Sequence, residues 1–181
     1  MFKKLAGLTA IAGLFIAGTA SADITGSAHD FSGQAYTNEI CNVCHAPHAG
    51  NLVNNAPLWS HDTSTGPWTM YANPATIDGT IDATPGGVSL LCLSCHDGTV
   101  AVDSFGGATG SVNVTGDALV GTDLSNDHPI SITYAGDLDL AGVGASSGIT
   151  GGTTIEADML FSGKVECASC HDVHNAFNVT N

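Results

Sequence analysis

The chain contains no arginine, and its three lysines face 17 aspartates and glutamates. Two of those lysines, Lys3 and Lys4, lie in the first four residues, so beyond them Lys164 is the one fixed cation of the polypeptide. That excludes the basic patch a nucleic-acid binder needs to neutralise phosphate. Charged residues of either sign are only 11% of the whole, and Met70 and Met159 are the only methionines after the initiator. Past the first twenty residues no apolar run is long enough to span a bilayer as a helix. Sustained helical periodicity is also scarce, in a chain with 23 glycines and abundant Ser, Thr, Asn and Asp. The stretch from Phe105 to Gly152 is the richest in Gly, Thr and Ser, with short β-like runs at Ser111 to Val114 and Ile130 to Tyr134 between glycine-containing turns. Taken alone, such a chain has little from which to build a packed side-chain core.

What the sequence does have is one pattern three times: Cys41-Asn-Val-Cys44-His45, Cys92-Leu-Ser-Cys95-His96 and Cys167-Ala-Ser-Cys170-His171. Each is C-x-x-C-H, the pattern of c-type haem attachment, in which two thiols form thioethers to one haem and the following imidazole binds its iron. The three copies use all six cysteines, so none remains for a disulfide, a zinc cluster or a catalytic nucleophile. A redox dithiol would need one such pair and not three with the same trailing histidine. Zinc knuckles pair into tetrahedra, and three do not pair off. A disulfide scaffold gives no reason for His45, His96 and His171. Three covalent haems are therefore expected, as rigid apolar groups that replace much of the missing core; on that expectation the haem-free polypeptide is unfolded.

The amino terminus agrees with this, because covalent haem attachment in bacteria follows export. Lys3 and Lys4 precede an apolar run from Leu5 to Ile16, and Ala20-Ser21-Ala22 is an A-x-A cleavage site before Asp23. Residues 1–22 read as a secretory signal and residues 23–181 as a single triheme domain, exported to the extracellular space or cell surface, or alternatively the periplasm. The mature polypeptide carries 17 carboxylates against Lys164, a net of −16.

Function turns on the sixth iron position. With His45, His96 and His171 as proximal ligands, His29, His48, His61, His128 and His174 are distal candidates. His48 and His174 each follow a proximal histidine by three residues, a spacing that turns them away from their own iron and toward an adjacent haem. If every iron is bis-histidine, no position is left for a substrate, and the expected role is single-electron transfer at low potential, not catalysis. Without arginine, haem propionates must be met by backbone N–H groups, hydroxyls, water or cations. The Asp123 to Asp127 and Asp137 to Asp139 turns offer oxygen ligands for Ca²⁺ or Mg²⁺, although neither has a full calcium-loop spacing.

Cys41 to His48 read as C-x-x-C-H-x-P-H, Leu91 to Val100, Asn126-Asp-His-Pro-Ile130 and Val165 to His174, with His29-Asp-Phe31 and Pro57-Leu-Trp59, together resemble the exported multihaem c-type cytochromes of metal-respiring bacteria. Within that group the chain is most similar to small extracellular cytochromes that polymerise into filaments, though with three haem motifs where better-known members have more. The resemblance implies a mostly irregular fold with short helices at the C-x-x-C-H motifs, a few short β-strands and a core formed by haems. It also implies a homopolymer exchanging electrons with redox partner proteins and extracellular acceptors. In it His29 reaches into a neighbouring subunit, and His128 and some of His48, His61 and His174 serve within the chain. A soluble monomeric shuttle is the rival reading, since an acidic surface suits transient electron-transfer docking; a multihaem reductase is a third, disfavoured by the absence of cations to hold an anion.

Overall fold

The computed structural model describes residues 24–48, 51–53, 56–72, 77–135, 139–149 and 151–174. The expected signal at 1–22 lies outside the described residues. Regular structure is sparse, as the glycine and hydroxyl content dictates. In chain order the elements are β1 (Asn51–Val53), β2 (Ala56–Trp59), α1 (Gly87–His96), β3 (Ile132–Thr133), α2 (Ile155–Met159) and β4 (Lys164–Val165), with 3₁₀ turns between them. β1 and β2 form one antiparallel ladder with a register shift, and β3 and β4 form another, with Ile132 opposite Val165. Of the two β-like runs expected from sequence, Ile130 to Tyr134 contains β3. Ser111 to Val114 does not form a strand: it is pinned by the Asp103 carboxylate, which accepts from the N–H groups of Ser111 and Val112 at 2.7 and 2.8 Å.

The one helix of more than a turn or two, α1, carries the second motif. Leu90, Leu91 and Leu93 favour the helix, and the Ser94 hydroxyl donates back to the Leu90 carbonyl at 2.7 Å. The helix stops after His96, where Gly98 adopts φ +77°, the left-handed turn that closes helices. A Cβ at Gly98 would stand 2.7 Å from Leu119, so the turn also needs glycine for space. Leu93 packs with Leu124 and Ile130, and Trp68, Met70, Tyr71 and Cys167 close around them. This side-chain core is small.

Two buried carboxylates tie the segments together. Asp97, 4% exposed, accepts from the Ser64 hydroxyl, from Trp68 Nε1 at 3.1 Å and from the backbone and hydroxyl of Thr99. Glu166, 3% exposed, accepts from the hydroxyls of Ser89 on α1 and Ser131 before β3. Both serve as hubs because hydroxyls and N–H groups supply the donors a buried carboxylate requires. Residues 141–149, glycine-rich and largely exposed, fold back on α2 through Ile155 N–H to Ala145 and Glu156 N–H to Val143. Thr154 caps α2 by accepting from the Ala157 N–H.

Candidate haem centres

Only the second motif lies on an α-helix. The third opens on a 3₁₀ turn, Cys167–Ser169, and the first is a non-helical turn. The first and third share one local geometry, because in each the second cysteine and the histidine donate their N–H groups to the carbonyl of the first cysteine: Cys44 and His45 to Cys41, and Cys170 and His171 to Cys167, at 2.8–3.2 Å. The first turn is clamped on β2 by Ala46 N–H to Leu58 and Ser60 N–H to Cys44, both 2.8 Å. The expected helix at this motif is replaced by that strand contact.

All six cysteines are free thiols, Cys41 and Cys170 exposed and the others partly covered. Burial pushes the Cys44 thiol up to about 11 and the Cys95 thiol up to about 12, with nearby thiol groups adding to both. The third motif is tied to the helix of the second by the Cys167 N–H, which donates to Ser89 Oγ at 2.9 Å.

Two of the motif imidazoles are held in one orientation. Nδ1 of His45 lies 2.8 Å from the Pro57 carbonyl, and Nδ1 of His96 lies 2.7 Å from the Ala118 carbonyl. A carbonyl can only accept, so each Nδ1 carries the hydrogen and each Nε2 presents its lone pair, the tautomer that metal-bound histidine uses. The partners follow. His45 faces His174 with ring centroids 6.2 Å apart and planes at 23°, and His96 faces His29 at 6.0 Å and 55°. With metal–nitrogen bonds of about 2 Å on either side, two imidazoles sharing one ion have centroids about 6 Å apart. Burial, and secondarily the His96 ring, lower the His29 pKa, which favours the neutral form that binds metal. The residues present thus fit haem at the first two motifs.

Not every candidate takes part. His61, expected as a distal ligand, is 1% exposed, with Nδ1 2.7 Å from the Asp62 carbonyl and Nε2 2.9 Å from the Ala101 carbonyl. Both ring nitrogens lie at hydrogen-bond distance from backbone carbonyls. His61 is instead a buried tie between the segment after β2 and the loop after α1, its ring against Trp59 and its Nε2 3.5 Å from Cys95 Sγ. His29 stands beside His96 of its own chain, with ring centroids 6.0 Å apart. His48, His128 and His171 are exposed, and among the described residues no histidine ring stands opposite His171. The Asp123 carboxylate is occupied by the N–H and hydroxyl of Ser125 as the cap of a 3₁₀ turn; Asp137 lies outside the described residues. Among the described residues no cluster of three or more His, Cys, Asp or Glu has ion-holding geometry. Nor is any helix among them long and apolar enough to cross a membrane.

Sequence reasoning singled out neither Trp59, whose ring stands edge-on to His45 at 6.4 Å, nor the Asp97 and Glu166 hubs beside the second and third motifs. The dipeptide His96-Asp97 was visible, but its Ser64 and Trp68 partners lie some thirty residues upstream. No protein-family model matches the chain, and no curated protein matches it.

Proposed function

We propose that the protein transfers single electrons through three covalent c-type haems held by Cys41 and Cys44, Cys92 and Cys95, and Cys167 and Cys170, and that exported copies assemble into an extracellular filament that delivers electrons to external acceptors. The observation that carries this reading is the pairing of His45 with His174 and of His96 with His29 at the spacing of axial ligands. When bound, haem supplies a one-electron ferric–ferrous couple, and bis-histidine ligation favours low potential.

The chain's own residues do the rest. The carbonyls of Pro57 and Ala118 fix the ring orientation of His45 and His96. His174 and His29 would fill the sixth positions of the first two centres and leave no place for a substrate at either. The Cys167 N–H bond to Ser89 of α1 joins the third motif to the helix that carries the second, and haems held close together in this way would suit fast hopping. Exposed Cys41, Cys170 and His171 put the outer parts of the first and third motifs at the surface. Among the described residues no ring stands opposite His171, and in the polymer reading a histidine of a second copy would complete that surface centre.

The test is a visible spectrum and intact mass of the secreted protein, with negative-stain electron microscopy of the same sample. Three haems with six-coordinate low-spin bands in thin filaments are expected. The same bands on single particles would return the reading to a shuttle, and a haem-free chain would end it.

A further inference from the structure

Asn113-Val114-Thr115 is an N-x-T sequon, the acceptor pattern for asparagine-linked glycans on exported chains, and electron transfer gives it no task. Exposure alternates along it: Asn113 and Thr115 are exposed and Val114 is half-buried. In extended backbone, such as the φ −140°, ψ 169° of Thr115, that alternation turns the first and third side chains to one side, here solvent. Thr115 also stands at the N-cap of the 3₁₀ turn Gly116–Ala118, yet its hydroxyl does not cap it, whereas Asp30, Asp123 and Thr154 each cap the turn or helix they precede. The sequon is anchored on both sides. Before it, Asp103 accepts from the N–H groups of Ser111 and Val112, and the Val102 N–H donates to the Val112 carbonyl at 2.7 Å; after it, the Leu119 N–H closes the turn on Gly116 at 3.0 Å. Asn113 lies on the wall of a cavity of about 590 Å³ whose lining is rich in hydroxyls and includes a carboxylate, with Asp62, Thr63, Thr99, Thr109 and Ser111 among its residues. Near it in sequence, Val112, Leu119 and Val120 are 44%, 43% and 41% exposed.

We infer that Asn113 is the attachment point of an N-linked glycan whose first saccharide rests on the wall of this cavity. This rests on the export part of the proposed function, because the donor, a lipid-linked oligosaccharide diphosphate, and its transferase act on exported chains. In the transfer, the bond from the anomeric carbon to the diphosphate oxygen breaks and a bond from that carbon to Asn113 Nδ2 forms. The lipid diphosphate leaves, and the carboxamide gives one proton to a base of the transferase. No electron moves. The two side chains that the transfer reads, Asn113 and Thr115, stand on the solvent side, and the Thr115 hydroxyl is not spent on capping its own turn. Saccharide hydroxyls donate and accept, as do the threonine and serine hydroxyls of the wall, and the Asp62 carboxylate accepts. A glycan at this point also shields Val112, Leu119 and Val120, apolar side chains that the polypeptide leaves open.

The experiment is intact mass and peptide mapping of the full protein secreted by its own cells, before and after enzymatic release of N-glycans. The wild type should carry whole saccharides beyond the mass of the polypeptide and its haems, on the peptide that contains Asn113, and release should leave an aspartate at that position. Asn113→Gln and Thr115→Ala should each abolish the added mass, whereas Thr115→Ser, which restores the hydroxyl, should keep it. An unmodified Asn113 peptide in the wild type, or added mass that persists in Asn113→Gln, overturns the inference. Hydrogen exchange tests the cavity contact: the amides from Thr109 to Asn113 should exchange faster once the glycan is released, and an unchanged rate overturns that contact. A secreted chain that still carries residues 1–22, or a chain found only in the cytoplasm, refutes the export reading and the inference with it; that failure is read from the amino-terminal peptide and the cell fraction, not from the Asn113 peptide.

Discussion

Replacing His29 by alanine should convert one haem in three from six-coordinate low-spin to high-spin, without loss of covalent haem. The reasoning is geometric. His29 stands 6.0 Å from His96 and belongs to that centre alone, whereas His174 stands 6.2 Å from His45. His174→Ala should therefore convert a different third of the haem, and the double variant two thirds, because the two pairs share no residue and their effects should add. The proximal rings keep their carbonyl partners at Pro57 and Ala118 in either variant, so the thioethers and the fifth ligands remain. Electron paramagnetic resonance of the oxidised protein counts the high-spin fraction, and added imidazole should return it to low spin, a rescue that misfolding would not allow. His61→Gln is the control: both His61 ring nitrogens face carbonyls, so the spin state should not change. A fully low-spin His29→Ala protein, or a high-spin His61→Gln protein, would refute the assignment.

Three other outcomes test the packing. Asp97→Ala removes the acceptor of Ser64, Trp68 and Thr99 and should cost about 3 kcal/mol, which at about 2–4 °C per kcal/mol lowers the Tm of the haem-loaded protein by about 6–12 °C; an unchanged melting curve would show that the hub is incidental. Leu93→Ala, at a site 2% exposed between Leu124 and Ile130, should cost about 2–5 kcal/mol in urea unfolding. Acid should loosen the loops at Asp30, Asp103, Asp123 and Asp158, whose pKa values lie below the ordinary 3.8, each chiefly through hydrogen bonds from Ser32, Val112, Ser125 and Ser147 in turn. Because the folded values are depressed, their contribution is present above the unfolded pKa and lost as pH falls through the folded one, so amide exchange in these loops should rise only below about pH 4.

The three motifs were legible because Cys-x-x-Cys-His is a local pattern that needs no tertiary information. The scarcity of regular structure was legible for a similar reason: glycine and hydroxyl residues act on their own neighbourhoods. The partners of the proximal histidines were not. His45 meets His174 and His96 meets His29 across long sequence separations, and spacing could say only that His174 turns away from its own iron. His61 looked like any other free imidazole because the carbonyls that occupy it, at Asp62 and Ala101, come from backbone whose path the sequence does not declare. Ser89 and Ser131 read as ordinary polar residues of a helix and a strand end, and only the fold places both on Glu166.

The His45–His174 pairing also has a consequence for how the protein is made. If the chain is exported amino terminus first, as proposed, Cys41 to His45 emerge well before His174. With haem bound as proposed, the first centre would wait with one face open until the last motif arrived. The second centre would not, because His29 precedes it. Of these two centres, the first would thus be the one exposed to stray ligands and oxidants until His174 arrived.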